Sequence, residues 1–539
     1  MITSIELGNV RVFDGIGNWK FPISPVTVFC GTNSAGKSTI FKSLLLLMQT
    51  NSEGIGEPTN GRLRLAGPIV DLGTFESYVS HRDLSKELLL GVSAVDKAQV
   101  RNLNRLRSLR KLPKAETPDN DYGPYNIDSR FYFGVLQKGP PDPQMPLSPD
   151  LAVEKGAQAC THQAFLKRAT FTLRTDDGMS LDWQVHLNSE VQDGERGPSY
   201  IIEIPGDYFG FSNGFAMMDV EESESGNVMI STFIKGLLPI GLWAKPKRGD
   251  EAVSSEQREE LFSYFPLPPL IREAMTDLAE QLNHIHYIGP LRSPAKRYYM
   301  TNLDSAPSLD SAGDFLPYVL RDARNTQIVY GPPDHHGKIS HGKLSTALGQ
   351  WLHYLRTGEK LDDSELAVDG EIGVASTKDV LVEFVLQSFG GELHALADSG
   401  FGYSQVLPIL VRSLIARPDS LIAIEQPELH LNPALQVRLV EFFVALALCR
   451  KVVLIETHSE HIVNALRVLA AEDQSNVLSE SSSIYFLDTE YGYPVVKNLE
   501  IQEDGTVPEW PRQFMGEALS LSARLLRAQG RSRGKTSEK

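Results

Sequence analysis

The chain has 539 residues, 41% of them apolar, which leaves room for about three to four average domains or one elaborated two-lobed unit and excludes wholesale disorder. Its net charge is −16, from 52 basic and 68 acidic side chains. The surface as a whole therefore repels nucleic acid, and any contact with it has to use a local basic patch or a partner chain. Cys30, Cys160 and Cys449 share no metal-binding spacing and no stretch approaches 18 consecutive apolar residues. The expectation is a cytoplasmic protein with reduced thiols and with neither signal peptide nor membrane span.

Residues 1–80 read as the N-terminal part of a nucleotide-binding lobe. Strand patterns cover residues 5–13 and 26–30, and the second runs straight into Gly31-Thr32-Asn33-Ser34-Ala35-Gly36-Lys37-Ser38-Thr39. An apolar helix pattern follows over residues 40–48. Strand, glycine-rich loop and helix are the context in which a GxxxxGK[ST] sequence binds a nucleoside triphosphate. The glycines let backbone N–H groups curl around a β-phosphate at the positive end of the helix. Lys37 would reach the β- and γ-phosphates, and the Ser38 hydroxyl would ligate Mg²⁺.

Residues 81–240 alternate short strand patterns with turn residues, as at 169–174 and 200–204, and read as a β-rich insertion. Within it, residues 101–114, from Arg101 to Lys114, carry six basic side chains and no acidic one, with leucines at 103, 106, 109 and 112. Two readings stand for this segment: a helix that binds nucleic acid or a partner, and an amphipathic helix with a solvated basic face. Residues 241–395 form a helical and connecting region. Helical periodicity over 256–282 is broken at Pro266-Leu-Pro-Pro269, residues 305–345 read as loop, 343–356 as helix and 380–386 as strand. His284 and His286 share one strand face without acidic or cysteine company, and read as core or edge histidines.

Residues 396–500 supply the distant half of an ATP site. Asp398-Ser399-Gly400-Phe401-Gly402-Tyr403-Ser404 precedes an apolar helix at 406–415, a second place where glycines and hydroxyls meet a helix start. Leu421-Ile-Ala-Ile-Glu425 is a buried-type strand ending in a carboxylate, which in combination with the phosphate loop reads as the holder of Mg²⁺. The next such strand, residues 452–456, leads into Thr457-His458, where a histidine can reach a γ-phosphate or position water. Residues 501–539 form a C-terminal segment with a basic tail.

Loop, acidic strand, histidine and the glycine/serine segment together resemble an ABC-type ATPase head, an α/β P-loop NTPase fold with an antiparallel β lobe. In that family two heads dimerise head to tail, and the signature of one caps the ATP of the other. The resemblance implies that Ser399, Gly400, Gly402 and Ser404 serve as this signature. More narrowly, the chain is similar to the RecF/SMC-like group that includes the OLD-type ATPases. Ile5-Glu-Leu-Gly-Asn-Val-Arg-Val-Phe13 is similar to their opening strand, whose arginine, here Arg11, approaches the nucleotide. Leu65-Ala-Gly-Pro-Ile-Val-Asp-Leu-Gly-Thr-Phe75, Tyr287-Ile-Gly-Pro-Leu-Arg292, Gly402-Tyr-Ser-Gln-Val-Leu-Pro408 and Asp504-Gly-Thr-Val-Pro-Glu-Trp-Pro511 resemble a stand-alone bacterial subgroup. That subgroup contains the PtuA-like ATPase subunits of Septu systems and of some retrons. Such subunits work with a separate HNH-type nuclease in antiphage defence, so the resemblance implies a self-associating ATPase with a nuclease partner. A DNA-repair ATPase of the RecF or SMC-like kind is the alternative.

The chain departs from the ABC pattern at the end of the acidic strand and in the signature, which lacks the usual Leu-Ser-Gly-Gly-Gln. ABC heads carry Asp-Glu at the strand end, whereas this chain has Glu425-Gln426. Gln426 cannot accept a proton but can orient a water. Glu428 and Glu456 are candidate substitutes, though structural roles are favoured for both, and slow hydrolysis is expected.

Overall fold

The computed structural model describes residues 1–52, 60–95, 125–135, 163–176, 178–188, 199–206, 218–246, 263–293, 296, 299–300, 316–323, 325–333, 339–360, 372–377, 381–387, 393–395, 401–511, 524–525 and 527. Its two main sheets meet at the segment that opens the chain. β1 (Ile2–Gly8) and β2 (Trp19–Pro22) pair antiparallel, and β3 (Val26–Gly31) then leaves for the other sheet. Helix α1 (Lys37–Asn51) follows the glycine-rich loop.

The antiparallel sheet is built mostly by the next part of the chain. Its strands are β4 (Leu88–Val95), β5 (Tyr125–Val135), β6 (Ala164–Thr175), β7 (Ser180–Leu187) and β8 (Tyr200–Pro205). They continue through the two-residue strands β9 (Met218–Asp219) and β10 (Glu221–Glu222) to β11 (Asn227–Lys235), β12 (Leu238–Pro246) and β13 (Ser263–Phe265). The order is β13-β12-β11-β8-β7-β6-β5-β4-β1-β2, with β9 and β10 paired to β12 and β11. The sequence places a boundary between residues 80 and 81, but β1 and β2 belong to the same sheet as β4 to β13. Along β6 and β8 buried and less buried residues alternate, the period-2 signature of a sheet with one packed face.

The parallel sheet holds the phosphate loop. Helix α2 (Pro269–Asn283) leads into β14 (Ile285–Ile288), and the two-residue strand β15 (Tyr299–Met300) follows. Residues 305–345, expected to be loop, include helix α3 (Leu316–Ala323) and the hairpin of β16 (Gln327–Tyr330) and β17 (Ser340–Lys343). Their turn-rich composition hid elements too short for a periodicity to register. Then come α4 (Leu344–Thr357), three antiparallel strands β18 (Ile372–Thr377), β19 (Leu381–Gln387) and β20 (Leu393–Ala395), and α5 (Phe401–Ile415). The last part alternates β21 (Leu421–Glu425), α6 (Pro433–Leu448), β22 (Val452–Glu456), α7 (Glu460–Glu472), β23 (Ser482–Glu490) and β24 (Tyr493–Leu499). Sheet order is β14-β21-β22-β3-β23-β24, parallel except for the β23–β24 hairpin.

Every residue of β3, β21 and β22 is buried, as expected of parallel strands covered on both faces. Alternate residues feed two cores. Phe29 packs with α1, α2 and the antiparallel sheet, whereas Val26, Val28 and Cys30 pack with α4, α5, α6 and α7. Each fully buried aliphatic side chain contributes roughly 1.5–3 kcal/mol, and Leu44, Leu46, Leu410 and Leu466 are all at 0% exposure. Gln49, also at 0%, ties α1 to the segment that follows it. Its amide donates to the carbonyls of Arg64 and Val70 and accepts from the N–H groups of Ile69 and Val70.

The expected α/β fold with an antiparallel β lobe is thus the fold observed: a parallel sheet carrying the glycine-rich loop, beside a large antiparallel sheet. The expected basic helix from Arg101 to Lys114 lies outside the described residues. Among the described residues no helix is long and apolar enough to cross a membrane.

Candidate nucleotide site

Parallel strands bind ligands at their carboxyl ends, and β14, β21, β22, β3 and β23 all run toward the same edge of the sheet. β3 passes into the loop 31–36, flanked by β22 on one side and β23 on the other. Gly31 has φ +127°, and a Cβ there would sit 1.9 Å from the Leu487 carbonyl oxygen on β23. Gly36 has φ +103°, and a Cβ would come within 2.7–2.8 Å of the side chains of Phe13 and Val12. Both positions therefore require glycine. Thr32 anchors the loop to β23, its N–H donating to the Leu487 carbonyl (3.0 Å) and its hydroxyl to Asp488 (2.9 Å). Asn33 and Ser34 are exposed, Ser34 with φ +63°, while Ala35 and Thr39 are buried.

Lys37 folds back over the loop and donates from Nζ to the carbonyls of Gly31 (3.1 Å) and Thr32 (2.6 Å). Burial pulls its pKa below the usual lysine range, opposed by the charge of Glu456. Arg11 flanks the loop, since the next two residues rest on Gly36, and its guanidinium lies 5.3 Å from the centre of the Tyr78 ring.

The acidic strands arrive from the opposite side. Glu425 and Glu456 stand in register at the ends of β21 and β22. Glu425 accepts from the Tyr287 hydroxyl at 3.0 Å. Burial, reinforced by Glu456, pushes its carboxyl up to about 7. Glu456 accepts from Ser38 Oγ at 2.8 Å, and its pKa is raised first by burial. Gln426 turns the chain with φ +46°, an uncommon conformation for a residue with a side chain. Its N–H donates to the Glu456 carbonyl at 2.7 Å. Arg292, 5% exposed, donates from Nη2 to the carbonyls of Glu425 (2.8 Å) and Gln426 (3.2 Å). Glu428 accepts from the His458 N–H at 2.8 Å and so joins the two acidic strand ends. Burial, and then the charge of Lys37, hold the His458 imidazole below its usual pKa.

The structure thus brings Gly31, Lys37, Ser38, Glu425, Gln426, Glu428 and His458 to one end of one sheet. Ser399 and Gly400 lie outside the described residues, and Gly402 and Ser404 fall in the first turn of α5. Three contacts were not legible in the sequence: Ser38 with Glu456, Tyr287 with Glu425, and Arg292 with the turn at Gln426. The motif Tyr287-Ile-Gly-Pro-Leu-Arg292 was a visible signal, but its partners depend on β14 lying beside β21. Among the described residues no group of three His, Cys, Asp or Glu could by itself hold a metal ion. A serine with one or two carboxylates nonetheless suits Mg²⁺, which completes its shell with waters and substrate phosphates.

Residues 342–463 match the family model described as an AAA ATPase domain. This segment holds β21, β22, Glu425, Gln426 and His458 and leaves out the phosphate loop. No curated protein matches the chain. Among solved structures the chain is similar to an SMC head bound to the C-winged helix domain of ScpA. That match has 10% identity, a TM-score of 0.35, and covers 93% of this chain and 98% of that one. It is also similar to the SMC head domain from Thermotoga maritima (7% identity, TM-score 0.32, 93% and 99% covered). A third is the Smc head with an extended coiled coil bound to the C-terminal domain of ScpA from Pyrococcus furiosus (10%, 0.30, 93% and 96%).

Proposed function

We propose that this chain is an ATP-binding, slowly hydrolysing ATPase subunit of the ABC/SMC-like kind. It associates head to tail with itself, as a dimer or higher oligomer, and regulates or scaffolds a separate nuclease in bacterial antiphage defence. The observation that carries the ATPase part is the meeting of the phosphate loop, Lys37 and two strand-end carboxylates at one end of the parallel sheet. The defence role and the HNH-type partner rest on the sequence resemblance.

In this reading the loop N–H groups and Lys37 hold the phosphates, and Ser38 with Glu425 holds Mg²⁺. Bound there, Mg²⁺ would neutralise charge on the β- and γ-phosphates. Gln426 orients the attacking water, Glu428 fixes the backbone of His458, and His458 faces the γ-phosphate. Without a carboxylate at 426 proton removal is inefficient, and ATP acts chiefly as a clamp between subunits.

The test is turnover and oligomeric mass of the purified chain beside Lys37→Ala and Gln426→Glu. Slow wild-type turnover, no nucleotide binding in Lys37→Ala, and faster turnover with a looser oligomer in Gln426→Glu are expected. Brisk turnover unaffected by Gln426→Glu would sink the clamp. ATP-dependent binding to duplex DNA that weakens as salt rises would favour a RecF-like repair ATPase instead.

A further inference from the structure

The two strand-end glutamates stand in register, yet their surroundings differ. Glu425 has a hydrogen-bond donor of its own in Tyr287, and its main chain is held by Arg292. Glu456 is 3% exposed and turns Oε1 onto the Ser38 hydroxyl, while Oε2 is buried without a partner. A buried carboxylate oxygen with nothing bound to it is costly, so it points to a group the site is built to receive.

We infer that Glu456 is a ligand of the divalent cation that accompanies the nucleotide, in the position next to Ser38. The inference rests on the ATP-binding reading above. Mg²⁺ binds six oxygens octahedrally at about 2.0–2.1 Å. Neighbouring ligand oxygens around such an ion are therefore roughly 2.9 Å apart. Ser38 Oγ and Glu456 Oε1 are 2.8 Å apart, an ordinary hydrogen-bond distance that two adjacent ligands of the ion can also keep. Glu456 lies on the strand next to β3, closer in the sheet to the phosphate loop than Glu425, whose strand is one further out. The cation is held by two strands rather than one, which couples nucleotide binding to the turn at Thr457-His458.

The experiment titrates ATP, through a fluorescent analogue, first in EDTA and then with rising Mn²⁺. Wild type should bind in EDTA and bind at least tenfold more tightly once Mn²⁺ is present. Glu456→Gln should keep the EDTA affinity and lose most of the Mn²⁺ enhancement, with Ser38→Ala and the double variant adding little further loss. Full enhancement in a folded Glu456→Gln would overturn the inference. Should Glu456→Gln not fold, Mn²⁺ ENDOR on Glu425→Gln labelled with ¹³C at glutamate Cδ decides. A strong carboxylate coupling is expected, and its absence overturns the inference. Failure of wild type to bind ATP under either condition, or Lys37→Ala binding as wild type does, would instead strike down the ATP-binding reading and this one with it.

Discussion

At Gln426 the backbone takes a left-handed turn that costs about 1–3 kcal/mol for a residue with a side chain. It persists because both of its peptide groups are held, the N–H by Glu456 and the carbonyl by Arg292. Arg292 thus acts on the site through main-chain atoms, a role that a reading of charges in sequence does not suggest. Arg292→Ala is expected to remove the donor from one buried and one part-buried carbonyl and to cost about 2–4 kcal/mol, measured by urea unfolding. The same variant should lower turnover more than ATP affinity, since the phosphate loop is untouched. Arg292→Lys should recover part of the stability. Unchanged unfolding in Arg292→Ala would show that the turn holds itself.

At the scale of elements, α5 and β22 are joined by a buried lysine. Lys451, 1% exposed, immediately precedes β22 and donates from Nζ to the carbonyls of Ser413 and Leu414 in the last turn of α5. These are carbonyls that a helix end leaves without internal partners. Burial pulls the Lys451 pKa down to about 8 from an ordinary 10.5, and the neighbouring Cys449 opposes the shift. The unfolded chain therefore holds this proton over a range in which the folded chain has released it. Stability contributed by this residue rises with pH between about 8 and 10.5 and is flat below. Urea midpoints of wild type and Lys451→Met at pH 7.5 and 9.5 check this. The gap between them should shift in favour of wild type at the higher pH, by up to about 2 kcal/mol. A gap independent of pH would mean that the ammonium is solvated.

Across the whole molecule, one parallel sheet separates two hydrophobic cores, and its middle strand β3 contributes to both. Ligand bound at the end of β3 should therefore stabilise the entire chain. With ATP at about 100 times its Kd the gain is about 2.7 kcal/mol. For a chain of 539 residues unfolding as one unit, that is a rise in Tm of about 2–3 °C. Calorimetry should show one transition that moves with ATP in wild type and stays in place in Lys37→Ala. Two transitions, only one of which moves, would show that the antiparallel sheet folds on its own.

The sequence by itself determined the phosphate loop, the buried strands at 26–30, 421–425 and 452–456, and the helices at 40–48, 343–356 and 406–415. Each of these is written in contiguous residues, either as a motif or as a hydrophobic period long enough to read. The hairpin and short helix within 305–345 were lost for the converse reason: four-residue strands among turn residues carry too little pattern. Tertiary structure alone decided that β22 lies between β21 and β3. That order sets Glu456 rather than Glu425 against Ser38, and it directs Arg292 to the turn at Gln426. Strand order is fixed by packing between segments up to hundreds of residues apart, and no local stretch of sequence encodes it.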